Sequence, residues 1–112
     1  MKTRIRDITD QEFVATRKDL TKGVYGLPLV SKDLSITKVT LTKVTPNGEF
    51  STHIDEYHHI FYFIKGQGVG QLGNEEYSIK PGRIVEIPVG TPHGYRNTST
   101  ETMLLITMNI LA

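Results

Sequence analysis

The chain has 112 residues, with 13 Lys plus Arg against 12 Asp plus Glu and a net charge of +1; its length suits one hydrophobic core, a single domain spanning residues 1–112. The basic residues are dispersed, which leaves no electrostatic footprint for nucleic acid or anionic lipid, and no apolar run approaches the roughly 18 residues of a membrane helix. The absence of cysteine excludes disulfides, thiolate nucleophiles and cysteine metal sites, and Met1–Asp10 lacks the apolar stretch of a secretory leader, so the expectation is a cytoplasmic protein with a small, neutral molecule as partner.

Helix signals are few. Thr9 followed by Glu12 fits a capping box for one short helical turn before Phe13 and Val14, and no long 3.6-residue period follows. Val24 to Val30, interrupted by Gly26 and Pro28, predicts an edge strand or bulge, and Ser35 to Thr45, with Val39 and Leu41 alternating against polar neighbours, predicts another strand. Lys38 and Lys43 would keep such an edge soluble.

Pro46-Asn47-Gly48 predicts a turn, followed by strands at Glu49 to Asp55 and His58 to Lys65. Gly66, Gly68, Gly70 and Gly73-Asn74 punctuate a hairpin region. Pro81-Gly82 turns the chain into Arg83 to Ile87, Pro88 to Gly94 reads as a tight connection, and Met103 to Leu111 closes the chain as a strand. Short strands at this spacing imply an all-β sandwich or barrel.

All four histidines, His53, His58, His59 and His93, lie in the middle of the chain. Imidazole is the commonest protein metal ligand, so histidines brought together from adjoining strands point to a coordination site. Residues two apart on a strand share a face, so His53 and Asp55 could address one ion. On the His58 to Lys65 strand, His59 shares a face with Phe61 and Phe63, whereas His58 shares the other with Ile60, Tyr62 and Ile64. His58 therefore reads as a surface or interface residue. His93 would arrive from the Pro88 to Gly94 connection. The blander alternatives are a surface His53–Asp55 pair, a packed core His59 and a loop-capping His93.

In these positions the sequence resembles the cupins, small β-barrels with two short metal-site motifs. The second motif, glycine, five residues, proline, any residue, glycine, two residues, histidine, three residues, asparagine, is met by Gly82, Pro88, Gly90, His93 and Asn97. The first motif is met in part by Gly48, His53 and Gly66. Where that motif has its second histidine this chain has Asp55, and where it has glutamate this chain has His59. The resemblance covers about Gly48 to Asn97. It implies a double-stranded β-helix, or jelly-roll barrel, often a homodimer, with a ligand set of His53, Asp55, His59 and His93 for one divalent transition metal.

Three imidazoles and a carboxylate suit Fe, Mn, Ni, Co or Zn without selecting among them. Asp55 could ligate directly, through water, or not at all. The apolar set Ile60, Tyr62 and Ile64, with parts of Leu104 to Leu111, suggests a covered face and hence a dimer. The resulting expectation is a metal-dependent enzyme acting on a small organic substrate, of dioxygenase or isomerase type, with a non-catalytic metal- or small-molecule-binding barrel as the alternative. Catalytic residues are not assigned; Glu49, Glu86, Tyr57 and Tyr95 are the acid/base candidates. Tyr25, Tyr95 and Arg96 are candidates for the mouth of the site, and the scattered Lys38, Lys43, Arg83 and Arg96 do not fix the substrate.

Overall fold

The computed structural model describes residues 5–30 and 37–112. Among the described residues a short 3-10 turn, Asp10–Glu12, precedes nine strands: β1 (Val14–Ala15), β2 (Thr21–Pro28), β3 (Thr37–His53), β4 (His58–Lys65), β5 (Gly68–Leu72), β6 (Glu75–Ile79), β7 (Ile84–Ile87), β8 (His93–Asn97) and β9 (Met103–Ile110). No α-helix occurs among the described residues. The Thr9 backbone N–H donates to Glu12 Oε2 at 2.8 Å, so the capping pair acts where expected, on a single turn.

Strands follow the order β6-β5-β8-β3-β9-β4-β7, with β2 also on β3 and β1 on β2, and every pairing is antiparallel. This curled, antiparallel sheet is the expected all-β jelly-roll barrel. Its central strand corrects the sequence reading. Rather than two strands separated by a turn at Pro46-Asn47-Gly48, β3 runs unbroken from Thr37 to His53; Ser35, the expected start, lies outside the described residues.

Thr37–Val44 pairs with β9, whereas Glu49–His53 pairs with β8. Between these halves β2 passes from Lys22 opposite Glu49 to Val24 opposite Val44, which leaves Thr45–Gly48 as extra chain. Pro46 cannot donate to a ladder, and Asn47 tolerates its left-handed φ of 65°. The triplet therefore bends the strand around a corner from one half of the barrel to the other instead of ending it. Consequently β3 is central, not an edge. The irregularity in β2 lies at Gly23, not at Gly26 or Pro28. Gly26 stays in register with Thr42.

Inward alternation builds the core. Phe61 and Phe63 of β4, Val85 and Ile87 of β7, and Met103 and Leu105 of β9 are buried in one cluster with Val24, Val44, Ile79 and Tyr95. Packing of this kind stabilises each fully buried large side chain by about 1.5–3 kcal/mol. The hairpin at Gly73-Asn74 joins β5 to β6, with Leu72 opposite Glu75, as the glycine pattern suggested.

Asn97, fully buried, fastens the end of β8 to the β3 corner. Its Nδ2 donates to the carbonyls of Val44 at 3.0 Å, Thr45 at 3.2 Å and Glu101 at 2.9 Å. Its Oδ1 accepts from the Ser99 backbone N–H at 2.9 Å. The motif asparagine thus holds backbone and takes no part in the site. Gly90, at φ 80°, makes the left-handed step that brings the chain from Pro88 back toward β8.

Candidate metal centre

His53 ends β3 and His93 opens β8, and the two stand directly opposite each other in the β3–β8 ladder. His93 is therefore a strand residue and not part of the connection expected for it. His59, second in β4, turns inward with Phe61. Asp55 lies beyond the end of β3, which corrects the idea that it shares a strand face with His53. The chain instead folds over after His53 and returns the carboxylate to the same point.

One oxygen marks that point. Asp55 Oδ2 is 2.7 Å from His59 Nε2, 2.9 Å from His53 Nε2 and 3.3 Å from His93 Nε2. All four side chains expected to form the site are thus brought together. Donor atoms of His53, Asp55 and His93 lie within 4.8 Å of one another, and these three could hold a metal ion. His59 joins them through the shared oxygen. A carboxylate oxygen offers about two lone-pair directions, so three imidazole nitrogens at this range cannot all be donors to it.

The far side of two rings fixes their tautomers. His53 Nδ1 lies 2.8 Å from the Ser51 carbonyl and His93 Nδ1 lies 2.8 Å from the Thr91 carbonyl. A carbonyl only accepts, so both Nδ1 atoms carry the proton, and in the neutral ring Nε2 presents a lone pair to the centre. His93 Nε2 is buried with no hydrogen-bond partner. Burial lowers the His93 pKa, opposed by the Thr91 hydrogen bond, so this ring favours the neutral, electron-donating form. A lone pair facing a carboxylate oxygen is repulsive unless a cation stands between them. The donor set therefore fits a divalent ion.

Burial would raise the Asp55 carboxyl, but the hydrogen bond from His59 and the attraction the three imidazoles exert when protonated outweigh it and hold the pKa below its ordinary value. His59 differs from the other two rings: its Nδ1 is buried without a partner. His58 points elsewhere, its Nδ1 accepting the Val89 backbone N–H at 2.9 Å.

The centre opens into a cavity of about 340 Å³. Phe50, Phe61 and Tyr95 line it, as do Thr40, Thr42 and Thr107, with Phe61 directly opposite Thr107 in the β4–β9 ladder. Tyr57 and Tyr95 line it, and burial raises both phenol pKa values. Tyr25 and Arg96, also candidates for the mouth, do not line this cavity, and Arg96 faces a separate groove with Glu49. Glu86 is exposed on the outside of β7. Two cavity residues gave no motif signal: Arg17, in a polar run after β1, and Lys38, which pattern alone made an edge-solubilising lysine.

Residues 40–109 match the family model described as the cupin domain, and the chain belongs to that family. Solved structures with the same fold include one from Thermotoga maritima described as a predicted oxalate decarboxylase, at 23% identity and TM-score 0.79, the alignment covering 90% of this chain and 91% of that one. The polyketide cyclase RemF from Streptomyces resistomycificus is similar at 21% identity and TM-score 0.80, covering 97% and 81%. A Cupin 2 conserved barrel domain protein from Salinispora arenicola gives 14% identity and TM-score 0.83, covering 100% and 92%. No curated protein matches the chain. No described helix is long and apolar enough to cross a membrane.

Proposed function

We propose that the protein is a metal-dependent enzyme that acts on a small organic molecule, of dioxygenase or isomerase type, with one divalent first-row metal held by His53, Asp55, His59 and His93. The observation that carries this is the buried, unpartnered His93 Nε2, its tautomer set by the Thr91 carbonyl, beside Asp55 Oδ2. For bonds of about 2.0–2.2 Å, ligand atoms on neighbouring positions stand about 3 Å apart, and the nitrogen–oxygen separations here are 2.7–3.3 Å. When bound, the ion would supply Lewis-acid or oxygen-binding chemistry to the substrate.

The chain's own residues supply the rest. His53 and His93 keep their lone pairs directed inward by donating Nδ1–H to backbone carbonyls. Phe50, Phe61 and Tyr95 give the cavity its aromatic lining. At about 340 Å³ it lies at the small end of ligand sites. Among the described cavity-lining residues Asp55 is the sole carboxylate, so none of them is a separate carboxylate base. That same observation favours the second reading, a non-catalytic binding barrel.

We read the functional unit as a homodimer of single-domain chains. Ile60, Tyr62 and Ile64 of β4 and Ile84 of β7 share the outer face, with Ile84 62% and Tyr62 39% exposed. Metal content by elemental analysis, followed by oxygen uptake and isomerase assays against diketones, thiols and sugar phosphates, tests the enzyme reading. A protein that purifies without a first-row metal and gains none on incubation would remove its basis.

A further inference from the structure

Arg17 is one of two non-glycine residues with positive φ among the described residues, at 45°. Such a conformation is costly for a branched-off side chain and persists only when the surroundings over-determine it. They do so here. The Thr16 backbone N–H donates to the Val24 carbonyl at 3.1 Å, the Thr21 hydroxyl donates to the Thr16 carbonyl at 2.5 Å, and the Leu20 N–H donates to the Arg17 carbonyl at 2.8 Å. Strand β1 and the turn after it thus clamp this residue where the chain crosses the cavity mouth.

The guanidinium is the result of that clamp. Its Nη1 lies 3.6 Å from Asp55 Oδ1, its Nε donates to Asp19 at 3.4 Å, and the side chain remains 44% exposed. It reaches toward the centre and pairs with Asp19 and, at longer range, with buried Asp55, while almost half of the side chain stays open to solvent. Lys38, from the start of β3, lines the same cavity and is exposed. Asp55, the one carboxylate among the described lining residues, is already surrounded by three imidazoles. Although the chain carries a net charge of only +1, it sets two cationic side chains, Arg17 and Lys38, at this cavity; Asp19 and Asp55 balance them in formal charge, so a bound divalent ion would leave the site net positive.

We propose that the cavity takes a small carboxylate anion, with Arg17 anchoring the carboxylate and Lys38 adding long-range attraction. This rests on the reading of the cavity as the functional site and replaces the neutral partner expected from overall charge. A planar guanidinium matches a carboxylate in a paired hydrogen-bond geometry. One Arg and one exposed Lys suit a singly charged, planar group. The rest of the lining mixes aromatic rings, Phe50, Phe61 and Tyr95, with threonines, Thr40, Thr42 and Thr107, and accepts a short organic body bearing an oxygen or two.

Saturation-transfer NMR titrations of the purified protein with propionate, pyruvate and benzoate, against propionamide, benzamide and inorganic phosphate, test the proposal. At least one carboxylate should bind about ten-fold or more tightly than its amide, and Arg17→Gln should remove most of that preference while leaving amide binding unchanged. Arg17→Gly, which relieves the positive φ, should retain the melting temperature and lose the same preference, so that lost binding is not lost fold. Amides binding as tightly as their carboxylates, phosphate outbinding every carboxylate, or full carboxylate affinity in Arg17→Gln would each overturn the proposal. Elemental analysis of the same samples separates the two readings. A metal-loaded protein indifferent to carboxylates sinks the anchor alone; a metal-free protein whose carboxylate preference vanishes in Arg17→Gln supports the anchor and removes the metal.

Discussion

His53 and His93 face each other across the β3–β8 ladder, and each donates its Nδ1 proton to the carbonyl two residues earlier, Ser51 and Thr91, at 2.8 Å. The same local device at two strand ends leaves two Nε2 lone pairs converging on Asp55. Pre-set imidazoles lower the ordering cost of binding an ion, which is the usual service of outer hydrogen bonds at metal sites.

Purified protein should accordingly contain close to one divalent first-row ion per chain. His93→Ala and Asp55→Ala should each weaken metal affinity by more than the about 10- to 100-fold typical of outer partners, measured by competition with a chelator of known affinity. His58→Ala, whose ring serves the Val89 N–H instead, should change affinity less than about two-fold, a contrast that assigns the loss to the site and not to any histidine of the barrel.

Acid should act on the metal-free fold as well as on the site. Burial depresses the His93 pKa, so below the ordinary value of about 6.5 the unfolded chain takes up a proton that the folded chain resists. Stability is then lost as pH falls through that value toward the lower, folded-state pKa. Asp55, also depressed, adds a second loss of the same sign near and below the ordinary carboxylate range. Melting temperature against pH in the presence of chelator should fall from about pH 6.5 downward, and His93→Gln should flatten the upper part of that fall. A profile unchanged by the substitution would show that another group governs it.

The barrel was legible because its strands alternate cleanly: Phe61, Phe63, Val85 and Ile87 face the core, and period two alone identifies them. The convergence of His53, Asp55, His59 and His93 was legible through spacing within the cupin motifs. Local chemistry misled where tertiary pairing overrode it. Pro46-Asn47-Gly48 has every attribute of a turn, yet the ladders to β8 and β9 on either side carry β3 through it as a corner. Arg17 carried no signal, and Lys38 was one of four scattered basic residues, because β1 pairing back on β2, which sets the residue after it at the cavity, is a contact that neither period nor motif records.

The motif asparagine should prove structural. Asn97→Ala removes the two N–H donors that the Val44, Thr45 and Glu101 carbonyls share and an acceptor for Ser99, leaving the Val44 and Thr45 carbonyls at the β3 corner without this partner. The expected cost is about 2–4 kcal/mol in chemical denaturation. Metal affinity of the folded fraction should stay within about three-fold of the parent, since Asn97 contacts none of the four converging side chains. A large affinity loss with unchanged stability would reverse the assignment.

The outer apolar face gives the remaining test. Tyr62 and Ile84 are cross-strand neighbours on β4 and β7, and Ile106 of β9 pairs with Tyr62 on its other side, so one row of large side chains crosses three strands on the surface opposite the core. Contiguous apolar rows of this kind usually mark an interface. A charge placed at its centre would have to be buried unpaired on association, at a cost that disrupts most dimers. Ile84→Glu should therefore shift the protein from dimer to monomer in sedimentation equilibrium while leaving the metal site, on the inner face, with its content unchanged. Parent protein that sediments as a monomer at tens of micromolar would dispose of the dimer directly.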